Sequence, residues 1–239
     1  MNKDNLYIVI PAYNEEETIE GVIKDWHKIV KKIGNKSKLV IIDDGSKDKT
    51  YEIASSLKKK YTSLVVLSKE NEGHGATLLY GYKYAIDNDA TYVFQTDSDG
   101  QTEPLEFWNF WKLRRKYEAI IGKRNKRKDG LSRIFVTKVL KFVLLLIFHL
   151  NVEDANTPFR LIKTKTLAKY YNKIPDKFNL SNVLLTVLLL DGKERVKFIS
   201  ITFKKRQGGV NSINFKKIIK IGKVAVGDFR VIRKSLKRK

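Results

Sequence analysis

Asp97 and Asp99 stand two positions apart, with Ser98 between them and Gly100 behind, at the end of the run Tyr92-Val-Phe-Gln-Thr96. That run is rich in aromatic and β-branched residues and reads as a buried strand. Residues i and i+2 of an extended chain point to the same side. The two carboxylates therefore converge just past the strand's C-terminal end, the edge at which open α/β sheets bind ligands. Two carboxylates in one place repel unless a cation lies between them. A hard divalent cation with oxygen ligands suits the pair, and Mg²⁺ is commonly shared with substrate phosphates. The residues point to a metal-bound diphosphate. The competing reading is a solvated acidic turn, since Asp and Gly are frequent turn residues.

The elements that must position this pair lie upstream. Leu6–Ile10 is a strand that Pro11 ends. Glu15, Glu16 and Glu17 then open a helix whose apolar residues Ile19, Val22, Ile23, Trp26, Ile29, Val30 and Ile33 keep a spacing of three to four. Gly34-Asn35 stops it. Leu39–Ile42 is a second strand, ending in Asp43-Asp-Gly-Ser46, and Ser46 or Asp48 caps the helix that carries Ile53, Ala54 and Leu57. Leu64–Leu67 is a third strand. It leads through Asn71-Glu-Gly-His-Gly75 into a helix from Ala76 to about Ile86. The two glycines allow close approach of backbone to a ligand, and the helix N-terminus favours phosphate. His74 reads as a loop residue near that ligand. Strands alternating with helices predict an α/β fold with a single Rossmann-like, mostly parallel sheet flanked by helices. In such a sheet Pro11-Ala12-Tyr13, Asp43-Asp44, Gly73-His74-Gly75 and Asp97-Ser98-Asp99 share one rim.

The second half continues with a helix from Pro104 carrying Trp108 and Trp111, a strand at Ala119–Gly122 and a basic loop at Lys123–Lys128. An apolar helix follows at Leu131–Leu150, then a loop at Asn151–Arg160 with Glu153 and Asp154. Phe159–Ile162 and Val196–Phe203 read as strands, with helices near Leu167–Tyr171 and Ser181–Leu190 between them. Lys204-Lys-Arg-Gln-Gly-Gly209 is a basic glycine-bearing loop, and an amphipathic helix occupies Asn214–Lys239. With no repeat and no linker, the expectation is one domain over residues 1–239. Residues 1–122 and residues 123–239 form its two halves, the second ending in the basic C-terminal helix.

Lys and Arg number 48 against 26 Asp and Glu, a net charge of +22 over 239 residues. Such an excess predicts an anionic partner: nucleic acid, an anionic membrane surface or a phosphorylated substrate. There is no cysteine, so neither a disulfide framework nor a thiolate metal site exists, as suits a reducing cytoplasm. The longest apolar run, Phe142–Phe148, has seven residues, whereas a spanning helix needs about 20. No signal peptide is expected. The apolar helix beside the Lys123–Lys128 run suits a monotopic surface contact, and the basic C-terminal helix suits anionic headgroups. The alternative for both is a core helix with solvated lysines. The expected location is cytoplasmic and peripheral, on the cytoplasmic face of the membrane.

Pro11-Ala-Tyr-Asn-Glu15, Asp43-Asp-Gly-Ser46, Asn71-Glu-Gly-His-Gly75 and Asp97-Ser-Asp-Gly-Gln101, in this order and spacing, resemble family 2 glycosyltransferases of the GT-A fold. The branch they resemble is that of the polyprenyl-phosphate glycosyltransferases, typified by dolichol-phosphate mannose synthase. Ile121-Gly-Lys-Arg124, Asp154-Ala-Asn-Thr-Pro-Phe-Arg160 and Arg206-Gln-Gly-Gly-Val-Asn-Ser212 are similar to later motifs of that branch. Pro158 stands where the branch has glycine, and the last motif has one extra residue before its serine. The resemblance implies that Pro11, Tyr13 and Glu15 line the nucleotide pocket and that Ile42 and Asp44 hold the base. It further implies that Asp97, Ser98, Asp99 and Gln101 hold Mg²⁺ or Mn²⁺ and the diphosphate, and that Arg124 and Arg206 meet phosphate groups. The activity implied is inverting transfer of a sugar from a nucleoside diphosphate.

A lipid-phosphate acceptor is already an anion and needs no general base. A glycan hydroxyl needs one, and Asp154 (or Glu153) is the candidate; equally, Asp154 is a loop carboxylate paired with Arg160. Nucleic-acid binding is disfavoured by the acidic rim. A nucleotidyltransferase is disfavoured by Pro11-Ala12-Tyr13 standing where a glycine-rich phosphate loop belongs. Asp44 suits uracil or guanine alike.

Overall fold

The computed structural model describes residues 4–34, 36–124, 131–204, 226–230 and 233, with the backbone alone for 131–138. Apolar runs become seven strands: Leu6–Ala12 (β1), Lys38–Asp43 (β2), Leu64–Ser68 (β3), Tyr92–Thr96 (β4), Ala119–Arg124 (β5), Phe159–Lys163 (β6) and Val196–Ile201 (β7). They form one sheet in the order β3-β2-β1-β4-β6-β5-β7. β1 runs parallel to β2 and β4, β2 to β3, and β5 to β7. β6 alone is reversed, antiparallel to both β4 and β5. Six strands thus end at one edge, and the same edge receives the start of β6.

Among the described residues, seven α-helices of seven or more residues cover the sheet: Ile19–Ile33 (α1), Thr50–Ser56 (α2), His74–Asp87 (α3), Phe107–Leu113 (α4), Leu131–Phe148 (α5), Thr164–Tyr171 (α6) and Ser181–Asp191 (α7). Strand residues alternate between the two faces. Ile8, Ile10, Ile41 and Phe94 pack with α1, α2 and α4; Val9, Val40, Ile42 and Val93 pack with α3, α5, α6 and α7. Under the acidic strand end, Phe94 meets Trp26, Phe107 and Phe159 at ring-centroid distances of 5.3, 5.0 and 4.7 Å. Edge-to-face contacts of this kind add to the area buried, so the strand bearing the two aspartates rests on a stiff aromatic floor.

Three expectations need correction here. Pro11 does not end β1; it lies within it, opposite Ile42. Ala12 O accepts from Asp44 N at 2.9 Å on the β2 side, so its neighbour Pro11 faces β4, beyond the last β1–β4 pair at Val9 and Gln95. Its missing N–H leaves no ladder bond unmade. Glu15–Glu17 precede α1 as a turn, and Ile19 opens the helix. α3 starts at His74, before Ala76. Of the expected helix at Asn214–Lys239, residues 226–230 are helical and Phe229 is fully buried, 5.7 Å from Phe148 and 5.9 Å from Phe178 by ring centroids. The rest of that stretch lies mainly outside the described residues.

Candidate functional site

The turns after β1 and β2 are sewn together by short polar side chains. Asn14, at φ 54°, donates its N–H to Ser46 Oγ (3.0 Å) and accepts from Lys47 N–H at Oδ1 (2.8 Å). Glu15 N–H donates to Thr50 Oγ1 (2.8 Å), and Asp48 accepts from Thr50 N–H (3.0 Å) and Glu16 N–H (3.1 Å). Asp48 therefore takes up the first N–H of α2 from one residue ahead of its N-cap, Lys49, while Ser46 serves the neighbouring turn. Burial works against ionisation of Asp48, but its bonds from Thr50 and Glu16 hold its carboxyl below the ordinary range. Thr18 carries the link to the acidic turn: its hydroxyl donates to Ser98 O at 2.9 Å and lies 3.1 Å from Glu15 Oε2.

Asp43 and Asp44 are both buried. Asp43 accepts from Ser46 N–H and Ser68 Oγ. Asp44 accepts from Glu72 N–H (3.1 Å), Gly73 N–H (3.0 Å) and Lys69 Nζ (3.0 Å). Its carboxylate thus shapes the loop between β3 and α3. Asn71 Nδ2 adds a bond to Asp44 O at 2.9 Å, and Lys69 and Lys177 both reach Glu72. Ile42 takes another place than expected: its side chain is fully buried and points at Gly81 of α3. It forms part of the sheet's core, and only its backbone remains near the rim.

His74 opens α3 and faces the rim. Its Nε2 lies 3.0 Å from Asp97 Oδ1. Burial lowers its affinity for a proton, but the carboxylates of Asp97, Asp44 and Asp99 outweigh that and hold the ring above its ordinary value. One imidazole therefore stands in the field of three carboxylates from two separate turns. Asp44 and Asp99 both stand close enough to His74 for their charges to act on its ring. Asp99 also accepts from Gln101 N–H at 3.1 Å through Oδ1. Gly75 departs from its expected role: a Cβ there would lie 2.1 Å from Phe178 O. The missing side chain lets α3 seat against the 178–179 backbone, with Ser181 Oγ 3.2 Å from Gly75 O.

The far side of the rim is built by β5, β6 and β7. Arg124, at the end of β5, holds Asp154 in a two-pronged pair, Nε to Oδ2 at 2.8 Å and Nη2 to Oδ1 at 2.9 Å. Beside it Lys123 pairs with Glu153 at 2.5 Å. Asp154 therefore pairs with Arg124, and the expected partner Arg160 is engaged elsewhere. Gln101 Nε2 donates to Lys204 O (2.8 Å), and Lys204 N–H donates to Gln101 O (2.8 Å). Gln101 thereby ties the chain leaving β7 to the acidic turn. Arg206 lies outside the described residues. Tyr13 stands at the rim with 39% of its surface exposed, while Pro11, Glu15 and Ser98 are buried beneath it.

Sequence reasoning missed Lys69, Thr18 and the pairing of His74 with Asp97. Arg160 carried a usable signal, because an arginine inside a strand of Phe, Leu and Ile is a charge that burial must accommodate.

Residues 7–178 match the family model described as glycosyl transferase family 2. An uncharacterized protein of Methanocaldococcus jannaschii is 30% identical over 212 residues, 85% of this chain and 82% of that one. A UDP-N-acetylglucosamine–dolichyl-phosphate N-acetylglucosaminyltransferase of Methanococcus voltae is 26% identical over 182 residues, 68% of this chain and 70% of that one. Among solved structures, glucosyl-3-phosphoglycerate synthase from Mycobacterium tuberculosis, in complex with Mn²⁺, UDP and glucosyl-3-phosphoglycerate, superposes with a TM-score of 0.69 at 17% identity, covering 95% of this chain and 80% of that one. It shares the GT-A type of α/β fold. With this rim and this family match, the chain belongs to glycosyl transferase family 2.

Proposed function

We propose that this glycosyltransferase moves a sugar from a nucleoside diphosphate to a polyprenyl phosphate, with inversion at the anomeric carbon, at a membrane surface. The observation that carries the donor half is the convergence of His74, Asp44, Asp97 and Asp99 on one sheet edge. Residues 1–122 form the donor half and residues 123–239 the acceptor half. Tyr13, exposed at the rim, offers a ring face to the base, and Asp44 holds the loop against which that base rests.

The oxygen donors fit a hard divalent cation, with Asp97 and Asp99 as the residues that would hold Mg²⁺ or Mn²⁺. Among the described residues no group of three or more His, Cys, Asp or Glu forms a closed cage, which matches an ion completed by phosphate oxygens and water. When bound, the ion supplies positive charge for the diphosphate. In the transfer itself an acceptor oxygen bonds to the anomeric carbon as the bond from that carbon to the β-phosphate oxygen breaks, and the diphosphate leaves with both electrons.

The acceptor half favours an anionic acceptor. The Asp154 carboxylate is taken up by Arg124 on both oxygens, so it is engaged in an ion pair where a general base would have to be free to take a proton. A phosphate acceptor is already ionised and needs no base. It also suits the Arg124 fork. The M. voltae relative named for dolichyl phosphate agrees with this class. The membrane reading rests on α5. Val139, Phe142, Leu145 and Leu146 are 44%, 61%, 48% and 59% exposed along one side of it, on a chain of net charge +22. Apolar residues in the interface and basic charge toward anionic headgroups are the terms that hold a protein to a bilayer surface. No helix among the described residues is long and apolar enough to cross a membrane.

A thermal-shift panel of UDP- and GDP-sugars with and without Mn²⁺ tests the donor site, with Asp99→Ala expected to abolish the metal-dependent part of the shift. A mutant retaining it refutes the assignment. A radiolabelled sugar recovered in extracted lipid supports the acceptor class. Label recovered in a soluble glycan instead establishes transfer to a hydroxyl.

A further inference from the structure

Arg160 of β6 is buried completely, yet no carboxylate is among its hydrogen-bond partners. Nε donates to Thr157 O at 3.1 Å. Nη1 donates to Asn182 O at 3.1 Å and to Thr186 Oγ1 at 3.3 Å. Nη2 donates to Ala155 O at 3.2 Å and to Thr157 O at 2.9 Å. Thr186, in α7, repeats the tie through its own hydroxyl, 3.1 Å from Ala155 O and 2.8 Å from Asn182 O. The planar fork of one arginine therefore fastens three carbonyls, two from the 155–157 loop and one from α7.

Burying a cation costs several kcal/mol unless its surroundings compensate, and a neutral side chain could brace a loop at lower cost. The position of the loop explains the choice. Asp154 immediately precedes the two braced carbonyls, and Asp154 orients Arg124 through both carboxylate oxygens. Asp97, across β4, and Asp154 and Arg124 are the charged groups whose fields reach the guanidinium. In the sheet register Arg160 stands opposite Gln95, whose Oε1 accepts from Tyr82 at 2.7 Å. The Nε2 of Gln95, Thr157 Oγ1 and Asn182 Oδ1 have no partner among the described residues. The polar cluster is thus incompletely paired as well as charged, an arrangement that is unfavourable for stability alone.

We propose that Arg160 is a positioning residue for transfer: from inside the protein it fixes the 154–157 loop so that Asp154 presents Arg124 to the anionic end of the acceptor. The inference rests on the acceptor reading above. Its parts are tested by Arg160→Met, Arg160→Lys and Thr186→Val, using the donor found in the panel, Mn²⁺ and a short-chain polyprenyl phosphate. Hydrogen exchange at 151–158 is expected to quicken in all three. Acceptor kcat/KM is expected to fall about 10–100-fold, the scale of a displaced orienting group. Donor affinity should stay within about threefold of wild type, because the loss concerns orientation rather than ground-state donor binding. Lysine keeps the charge but has no fork, so it should not rescue; full recovery of kcat/KM by lysine overturns the proposal. So does unchanged exchange at 151–158, or unchanged acceptor kcat/KM, in a folded Arg160→Met or Thr186→Val protein. If Arg160→Met does not fold, Thr186→Val, which removes the hydroxyl's ties but leaves the Arg160 fork on its three carbonyls, decides alone. A wild type that binds no nucleotide-sugar sinks the functional reading instead, and the exchange measurement still reports on the loop.

Discussion

Three glycines in helices should respond to alanine in an order set by what surrounds them. At Gly75 a new Cβ would stand 2.1 Å from Phe178 O and 3.0 Å from Asn179 C and Cα, all backbone atoms. At Gly81 it would meet Val9 Cγ1 at 2.4 Å and Ile42 Cδ1 at 2.8 Å, the ends of side chains that can turn aside. At Gly21, on the outer side of α1, it would meet nothing within 4 Å. Alanine in an open helical site stabilises by roughly 0.5–1 kcal/mol through helix propensity and the lost freedom of the unfolded chain. Overpacking against fixed atoms costs typically about 1–3 kcal/mol. For a chain of this size each kcal/mol moves the melting temperature by roughly 2–4 °C. Gly21→Ala should therefore melt about 1–4 °C above wild type and Gly75→Ala about 2–12 °C below it, with Gly81→Ala between them. Gly75→Ala should also weaken Mn²⁺-dependent donor binding, because the strain falls one residue from His74 and its contact with Asp97. Differential scanning fluorimetry reads both effects. If Gly75→Ala melts at or above wild type, the seating of α3 on the 178–179 backbone is wrong, and with it the placement of His74 among the carboxylates.

Glu118 bridges Arg195 and Lys163 at the outer ends of β5, β6 and β7. Chiefly through its bond from Arg195, its carboxyl falls from the ordinary 4.5 to about 2. A lowered folded-state value means stability that is present above about pH 4.5 and lost as the pH falls from there toward 2. Glu118→Gln should lower stability near neutrality by about 1–2 kcal/mol, discounted because Arg195 is exposed, with the deficit shrinking toward pH 2 in urea titrations; a deficit independent of pH refutes the pairing. On vesicles rich in anionic lipid, Phe142→Ser with Leu146→Ser should reduce binding at least about tenfold through lost apolar burial, with donor-induced thermal shifts intact. Flotation equal to wild type would remove α5 from the membrane contact.

The strands were legible because buried parallel strands read as unbroken apolar runs, and the rim followed from their shared direction. The reversal of β6 was not legible: Phe159–Ile162 reads alike in either direction, and only its seat between β4 and β5 decides. The Arg124–Asp154 pair depends on that reversal, since it joins residues thirty positions apart. Ile42 was misplaced for a related reason. In a strand buried on both faces, sequence cannot say which residue points inward at the ligand edge. The purpose of Gly75 was hidden because close approach to a ligand and close approach to another loop leave the same mark. Arg160, by contrast, is an ionisable residue in a strand whose neighbours are buried, and such a residue repays a question about its partners.

The reversed strand has a consequence for how such a molecule can change. β5 and β6 are hydrogen-bonded neighbours, with Ile121 opposite Arg160, so the chain leaves the sheet after Arg124 and re-enters it at Phe159 on the neighbouring strand. That excursion is a cassette: both of its ends are anchored in the same two-strand hinge, and none of the strands beneath the nucleotide are interrupted by it. It can lengthen, shorten or be exchanged whole while the opposite half of the sheet keeps its register. On the proposed division into donor and acceptor halves, a chain built this way keeps one sugar donor while a single grafted segment brings a new recipient.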